Sequence, residues 1–219
     1  MSSYIELKNI DFCYEGEDKK VFSDFSLSVN KGECLAIKGA NGSGKSTLFK
    51  ILNGLEFVSE GSYIFDEMHI DRNYMSNNVN SKLFHKRVGY LFQNPDIMLF
   101  NGQVYDEVAF GPRQMGLSDA EVDLRTRDML KLFDIEALEK KAPYHLSGGQ
   151  KKRVALAAVM ALNPEVIVLD EPLAGLDSIG EAKLIDLLFE LKKAGKTIIV
   201  ATHSEAFSDK ISDRELSLM

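Results

Sequence analysis

The sequence is poor in cysteine, in long apolar stretches and in positive charge. Its two cysteines, Cys13 and Cys34, match neither a metal-ligand spacing nor a disulfide framework, which favours a reducing compartment. No stretch approaches the roughly 18 consecutive apolar residues of a membrane-spanning helix, and residues 1–3 open straight into a strand pattern without a signal peptide. The net charge of −7, from 26 basic and 33 acidic residues, argues against nucleic acid as the main partner. We therefore expect a soluble, cytoplasmic chain.

What the sequence does contain is a glycine-rich loop at residues 39–47. It reads Gly-Ala-Asn-Gly-Ser-Gly-Lys-Ser-Thr and fits the phosphate-loop pattern of a glycine, four residues and then Gly-Lys-Ser/Thr. Glycines let backbone N–H groups approach phosphate oxygens, Lys45 would neutralise the β- and γ-phosphates, and the Ser46 hydroxyl would hold Mg²⁺. The candidate nucleotide-binding residues of this loop are Gly39, Asn41, Gly42, Ser43, Gly44, Lys45, Ser46 and Thr47.

The residues on either side of the loop have the pattern that the motif requires. Residues 33–37 are mostly apolar and bounded by glycines, which predicts a buried strand. Leu48, Ile51 and Leu52 follow at helical spacing, so we predict a helix starting near Ser46. The positive end of that helix would point at the phosphates.

The first third of the chain otherwise reads as strands. Alternating runs at 4–10 and 21–29 predict antiparallel strands ahead of the nucleotide core. Residues 61–70 suggest a hairpin, and 71–81 suggest a polar loop. Tyr14 follows the first run and is either an exposed strand-end aromatic or a platform for stacking on a base.

Later segments alternate between strand and helix patterns. Residues 103–145 have helical spacing, with a capping box at Ser118 and Glu121. A helix is also predicted at 178–193, and strands are predicted at 88–92, 166–169 and 197–202.

Two acidic residues follow the apolar run at 166–169. A buried parallel strand there would deliver the carboxylates of Asp170 and Glu171 to the crevice where phosphates lie. Asp170 is expected to hold Mg²⁺, and Glu171 is expected to polarise the attacking water. With the phosphate loop, these residues predict phosphoryl-transfer chemistry.

A third motif, Leu-Ser-Gly-Gly-Gln at residues 146–150, carries a family resemblance. Followed by Lys151, Lys152 and Arg153, it resembles the signature of ATP-binding-cassette (ABC) ATPases. The resemblance covers nearly the whole chain, with every motif in the family's order. It implies ATP as the nucleotide, with contacts from Ser147, Gly148, Gly149, Gln150 and Asp177.

The resemblance also implies roles for single residues. Tyr14 matches the adenine-stacking aromatic, and Gln93 matches the glutamine that contacts Mg²⁺ and the attacking water. His203 matches the switch histidine that contacts the γ-phosphate. The implied catalytic residues are Lys45, Gln93, Glu171 and His203, and the implied Mg²⁺ ligands are Ser46, Gln93 and Asp170.

The architecture implied by the resemblance is an α/β fold. It has a P-loop NTPase (RecA-like) core, an N-terminal antiparallel β subdomain, and an α-helical subdomain inserted at about residues 94–145, all within one ABC ATPase domain over residues 1–219. In this family the N–H groups at the start of the signature helix serve the γ-phosphate bound by the other protomer. Two chains would therefore enclose two ATP molecules, as a homodimer or as a heterodimer with a second ABC ATPase.

Residues 93–117 narrow the resemblance to one group of transporters. The segments 93–96, 99–100, 106–112 and 116–117 resemble ATPases of energy-coupling-factor importers for cobalt, nickel and vitamins. This implies a peripheral subunit on the cytoplasmic face of the cell membrane, with an integral transmembrane coupling protein and a substrate-binding membrane subunit as partners. Two features depart from that group: Ile97 and Met98 replace an acidic residue followed by glutamine, and many relatives carry a further C-terminal extension.

Three alternatives were weighed against this interpretation. An ABC ATPase acting on nucleic acid would carry long coiled coils or a second cassette, and neither pattern occurs in this sequence. A nucleotide sensor without turnover would be expected to lose Lys45, Glu171 or His203, which are all present. An ABC exporter, or another class of importer, stays open from the sequence alone, as does the transported substrate.

Overall fold

The computed structural model describes residues 3–218, which form two β-sheets with helices around the second. Met1, Ser2 and Met219, which belong to the predicted domain span, lie outside the described residues. In chain order the strands are β1 (Ile5–Phe12), β2 (Phe22–Val29), β3 (Cys34–Lys38), β4 (Glu60–Phe65), β5 (Met68–His69), β6 (Val88–Leu91), β7 (Val166–Asp170), β8 (Thr197–Ala201) and β9 (Arg214–Ser217).

The helices follow the strands along the chain, with short 3₁₀ turns between some of them. In chain order they are α1 (Lys45–Leu52), α2 (Arg72–Ser76), α3 (Asn78–Arg87), α4 (Val104–Gln114), α5 (Asp119–Leu132), α6 (Gly148–Met160), α7 (Ser178–Lys193) and α8 (Glu205–Ile211). No helix within residues 3–218 is both long enough and apolar enough to cross a bilayer.

The first sheet is antiparallel, with the order β2-β1-β4-β5. Ile5 pairs with Val29 on one side and with Phe65 on the other, and all three side chains are buried. The turn between β4 and β5 consists of Asp66 and Glu67, which both have positive φ. The predicted N-terminal antiparallel strands and the 61–70 hairpin are therefore confirmed.

The second sheet is parallel, with the order β6-β7-β8-β3-β9. Strands β7 and β8 are buried along their whole length, as is typical of a parallel sheet covered on both faces by helices. Because parallel strands share one direction, the loops after β3, β6, β7 and β8 meet at the same edge. These loops carry the phosphate loop, Gln93, the Asp170–Glu171 pair and His203, so the fold gathers four predicted segments in one place.

Helices α4, α5 and α6 pack together beside this edge. Ser118 and Glu121 form the predicted capping box at the start of α5, with both reciprocal hydrogen bonds present. Val108 of α4, Leu130 of α5 and Val154 of α6 are buried in one hydrophobic cluster. The helical pattern predicted for residues 103–145 is thus present, as α4, α5 and two 3₁₀ turns.

The prediction of a polar loop at residues 71–81 is wrong, since this segment contains α2 and the start of α3. Asp71 caps α2 by accepting a hydrogen bond from the Tyr74 N–H (2.7 Å), and Asn77 caps α3 by accepting one from the Val79 N–H (2.9 Å). Polar residues that indicated a loop are helix N-caps, because their side chains satisfy the free N–H groups of a first turn. The buried ring of Phe84 then anchors α3 to the core.

Candidate nucleotide-binding site

A cavity of about 490 Å³ lies at the carboxyl edge of the parallel sheet. Its walls bring together the phosphate loop with residues from three other segments. The lining residues are Tyr14, Glu17, Val21, Asn41, Gly42, Gly44, Lys45, Ser46, Thr47, Gln93, Asp170 and Glu171. Glu17 and Val21 were not predicted from the sequence. Glu17 lies in the polar segment 15–20 that follows β1, Val21 comes directly after it, and this position is their only signal.

The phosphate loop encloses the ammonium group of its own lysine. Lys45 Nζ donates to the backbone carbonyls of Gly39 (2.6 Å) and Ala40 (2.9 Å). Gly39 has φ of 153°, and a Cβ on it would lie 2.5 Å from Ser43 Oγ, so this position requires glycine. Ser43 Oγ is itself buried and has no hydrogen-bond partner among the described residues. A buried hydroxyl and a lysine at the start of α1 suit a phosphate group as their ligand.

Two oxygen donors face each other across the cavity floor. Asp170 ends β7 and is 3% exposed, and its Oδ2 accepts a hydrogen bond from the Ser46 hydroxyl at 2.8 Å. Burial raises the pKa of the Asp170 carboxyl, while the Ser46 hydrogen bond and the charge of Lys45 act in the opposite direction. A hydroxyl and a carboxylate are the hard oxygen ligands that Mg²⁺ prefers, and a nearby cation would stabilise the ionised carboxyl.

Glu171 follows directly and lies beside His203. The His203 Nε2 atom is 3.2 Å from Glu171 Oε1. Burial raises the pKa of Glu171, and the charge of His203 lowers it. A glutamate with a raised pKa is a suitable proton acceptor near neutral pH, because its basicity is higher than that of an exposed carboxylate.

Tyr14 forms part of the cavity wall instead of standing free at the strand end. Its hydroxyl and Thr47 Oγ1 are 2.9 Å apart, which connects it to α1. The ring packs edge-to-face on Phe12, and the Lys50 ammonium lies 5.5 Å from its centroid. Of the two interpretations of Tyr14, the structure thus favours a side chain that belongs to the pocket.

The signature residues lie in a different place. Ser147, Gly149, Gln150 and Asp177 line a second cavity of about 760 Å³, which shares no lining residue with the first. Ser147 caps α6 in a capping box with Gln150, and Gly148 is the first residue of that helix. Within one chain, the structure therefore does not bring the predicted signature contacts to the phosphate loop.

One buried residue near the cavity was not identified from the sequence. Lys152 is 3% exposed, and its Nζ donates to the backbone carbonyls of Gln93 and Glu171, both at 3.1 Å. Its signal is periodicity, because Ala155 and Leu156 lie three and four residues later on the buried face of α6. A lysine at such a position is unusual and could have been found from the sequence.

The chain is similar in sequence to known proteins of one family. The ABC transporter family profile matches residues 22–174. The nickel import ATP-binding protein LarO of Lactiplantibacillus plantarum is 46% identical over 95% of this chain and 86% of its own length. The energy-coupling factor transporter ATP-binding protein EcfA of Methanococcus maripaludis is 43% identical over 91% of this chain and 70% of its own length.

Solved structures have the same fold. A dimeric ATP-binding cassette in a post-hydrolysis state, bound to ADP and phosphate, matches with a TM-score of 0.89 at 28% identity, over 98% of this chain and 94% of that chain. CbiO1 from Clostridium perfringens, described as part of the ABC transporter complex CbiONQ, matches with a TM-score of 0.77 at 38% identity, over 93% of this chain and 80% of that chain. The chain belongs to the ABC transporter family, as an ATP-binding subunit whose ATPase activity is coupled to transport.

Proposed function

We propose that this chain is the ATP-hydrolysing subunit of an energy-coupling-factor importer, which takes up a metal ion such as nickel or cobalt, or a vitamin. The observation that carries the ATPase part is the single cavity that unites the phosphate loop with Gln93, Asp170 and Glu171. The importer part is supported by the resemblance of residues 93–117 to that group. It is also supported by relatives named for nickel import and for an energy-coupling factor.

The residues of the cavity divide the chemistry among them. Backbone N–H groups of the phosphate loop and the Lys45 ammonium bind the β- and γ-phosphates of ATP. Ser46, Asp170 and Gln93 would hold Mg²⁺, which would offset negative charge on the phosphate oxygens. Glu171 takes a proton from the attacking water, and His203 contacts the γ-phosphate.

A second cassette completes the site. The cavity that holds Ser147, Gly149 and Asp177 lies apart from the phosphate loop of the same chain, so these residues serve the nucleotide of a partner. The N-terminus of α6 supplies N–H groups for that partner's γ-phosphate. The working unit is a homodimer, or a heterodimer with a second ABC ATPase, in one domain spanning residues 1–219.

The membrane partner docks on an exposed apolar patch that we name the docking patch, formed by Ile97, Phe100 and Phe110. Ile97 and Phe100 are 66% and 67% exposed, and the Phe100 and Phe110 rings are 5.0 Å apart. Exposed aromatic residues in contact mark interaction surfaces. Gln93 lies only four residues before Ile97. A transmembrane coupling protein that binds the docking patch, on the cytoplasmic face of the membrane, would therefore directly affect the position of Gln93 in the catalytic site.

Replacement of Glu171 by glutamine tests the ATPase scheme. Without the carboxylate, we expect the hydrolysis rate of the chain with its membrane subunits to fall by about 10²–10⁴-fold, because no general base remains. ATP would still bind, and the variant would elute as an ATP-bound dimer on size exclusion. Glu136→Gln, at an exposed position that lines neither cavity, is the control and should retain full activity. Elution of Glu171→Gln as a monomer at saturating ATP, with the membrane subunits present, would contradict the dimeric site.

Co-purification from native membranes tests the importer class. The protein should bring with it an integral coupling protein and a small substrate-binding membrane subunit. Recovery of an exporter-type membrane subunit, or of one from another importer class, would overturn this part of the proposal while leaving the ATPase in place.

A further inference from the structure

Lys152 occupies a position that packing alone does not explain. Its side chain leaves α6 and ends under the catalytic cavity, where Nζ donates to the carbonyls of Gln93 and Glu171 at 3.1 Å each. Burial lowers the pKa of the ammonium, although the charges of Asp170 and Glu171 oppose that effect. An apolar side chain of similar length would fill the same space without desolvating a charge. The ammonium is therefore better explained by what it contacts than by the stability it adds.

The backbone of Glu171 is the first of those contacts. Its φ of 47° lies in the left-handed region, which non-glycine residues rarely adopt and which persists only where the surroundings hold it. The Glu171 N–H donates to the Ala201 carbonyl at 3.0 Å, and the Glu171 carbonyl accepts from Lys152. Both backbone polar groups of Glu171 are thus hydrogen-bonded, the carbonyl also accepting from the Ala174 N–H at 3.3 Å, and the side chain is directed toward the cavity and His203.

The segment that follows β6 is the second contact. Lys152 holds the Gln93 carbonyl, and the adjacent Lys151 pairs with Asp96 at 2.6 Å. Two consecutive lysines of α6 therefore bind the residues that lead from Gln93 to the docking patch. The same helix is capped by Ser147, which lines the second cavity.

We propose that Lys152 is a positioning residue for ATP hydrolysis, which holds Gln93 and Glu171 in a fixed relation to each other and to the start of α6. The proposal rests on the proposed ATPase mechanism. Lys152 contacts neither nucleotide nor water in this scheme and acts only through the two carbonyls. A shift of α6, caused by either partner, would then displace Gln93 and Glu171 together.

Steady-state ATPase kinetics of the complex with its membrane subunits test this role. Lys152→Met removes the ammonium and retains the length of the side chain, and we expect kcat to fall by roughly ten- to hundredfold. KM for ATP should stay within about threefold, because the phosphate loop is untouched. Lys152→Arg retains charge and donors, and it should recover most of the lost kcat. If the methionine variant does not fold, Lys152→Gln provides the same comparison.

Lys196 offers a matched control. Like Lys152, it is desolvated and donates to the carbonyl of a residue with positive φ, Asn163, at 3.2 Å. Lys196 precedes β8, at the opposite end of the parallel sheet from the cavity. Lys196→Met should leave kcat and KM unchanged. The change in its thermal unfolding midpoint measures how much stability is lost when such a lysine is replaced, without any effect on catalysis.

A double-mutant cycle separates positioning from structure. Because Lys152 acts partly through Glu171, Lys152→Met should slow single-turnover hydrolysis by a smaller factor in the Glu171→Gln background than in the wild-type background. An equal fall in the hydrolysis rate in both backgrounds would overturn the proposal, as would a fall of less than about tenfold in the wild-type background. It would also be overturned if Lys152→Met lost more ATP affinity and thermal stability than Lys196→Met does. An inactive wild-type complex would instead overturn the proposed function itself.

Discussion

The Asp170 carboxyl illustrates how a single residue of the site costs stability. It is almost fully buried, and burial raises its pKa despite the hydrogen bond from Ser46. An acid whose pKa is raised by folding favours the folded state while it is protonated. This contribution is fully present below the ordinary pKa of aspartic acid and is lost as the pH rises through the raised pKa. At neutral pH the ionised carboxylate therefore destabilises the nucleotide-free protein.

Replacement of Asp170 by asparagine should accordingly stabilise the nucleotide-free protein. Asparagine retains an acceptor for the Ser46 hydroxyl and removes the buried charge. We expect the melting temperature at pH 8 to rise by about 2–4 °C for each kcal/mol gained, and the difference from wild type to shrink as the pH falls through the raised pKa and to vanish near about pH 4. Thermal unfolding from pH 4 to pH 8 measures this, with Asp186→Asn, an exposed partner of Lys210, as the control. A lower melting temperature for Asp170→Asn at every pH would contradict the argument.

Single residues also differ in how far the sequence could predict them. Lys45, Ser46 and Asp170 belong to short contiguous motifs, so their residue types and spacing are enough to predict one pocket. Lys152 acts on backbone carbonyls, which every residue possesses, and no pattern of residue types indicates which carbonyls a lysine reaches. Only the packing of α6 against β6 and β7 determines those contacts.

At the scale of elements, α3 depends on one aromatic side chain. The Phe84 ring is fully buried and packs edge-to-face on Phe65 of the antiparallel sheet, with ring centroids 5.6 Å apart. Most other residues of α3 are exposed or only half-buried. The only buried side chain of this helix is therefore the Phe84 ring, while Arg87 at its last position adds polar contacts and donates to Glu165 Oε1 at 2.9 Å.

Truncation of Phe84 should consequently be severe, although the site is distant. We expect Phe84→Ala to lower the free energy of unfolding by about 3–5 kcal/mol, through lost apolar burial and the cavity left behind. The neighbouring Leu83→Ala, at a position 54% exposed, should change it by no more than about 0.5 kcal/mol. Urea unfolding of both variants gives the comparison, and equal effects would mean that α3 is not anchored by the ring.

Two of the elements that the sequence failed to predict, β9 and α2, share a physical cause. Strand β9 has four residues and lies at the edge of the sheet, so it lacks the continuous apolar run of β7 or β8. Helix α2 has five residues, none of them buried, so no apolar periodicity marks it. Elements stabilised by pairing with a neighbouring strand or by a helix cap have a weaker apolar pattern in the sequence than elements that contribute many side chains to the hydrophobic core.

At the scale of the whole molecule, the separation of the two cavities decides how the protein works. The sequence placed the signature residues on a helix start but contained no information on their distance from the phosphate loop. The structure gives them a separate cavity, which is what the proposed assembly of two cassettes requires. Two residues of the docking patch, Ile97 and Phe100, lie in the chain segment between Gln93 and α4, so in the proposed complex the membrane partner and the nucleotide would act on neighbouring residues.

The docking patch is held in place by a buried carboxylate. Glu107 is 4% exposed, and its Oε2 accepts hydrogen bonds from the N–H groups of Phe100 (3.0 Å) and Asn101 (2.7 Å). The backbone that presents Phe100 is therefore ordered before any partner binds. A preorganised aromatic residue loses little conformational entropy on binding, which is typical of residues that dominate an interface.

Replacement of Phe100 by serine should thus weaken the membrane complex and leave nucleotide binding unchanged. A loss of about 2 kcal/mol at such a residue corresponds to a more than tenfold lower affinity for the membrane subunits. Leu124→Ser is the matched control, because Leu124 is 61% exposed on α5 outside the docking patch. The Leu124→Ser variant should co-purify with the membrane subunits as the wild type does. Co-purification from detergent extracts, together with titration of ATP, measures both properties. If Leu124→Ser lost the membrane subunits and Phe100→Ser retained them, the membrane partner would bind to α5 and not to the docking patch. The proposed coupling of that partner to Gln93 would then be wrong.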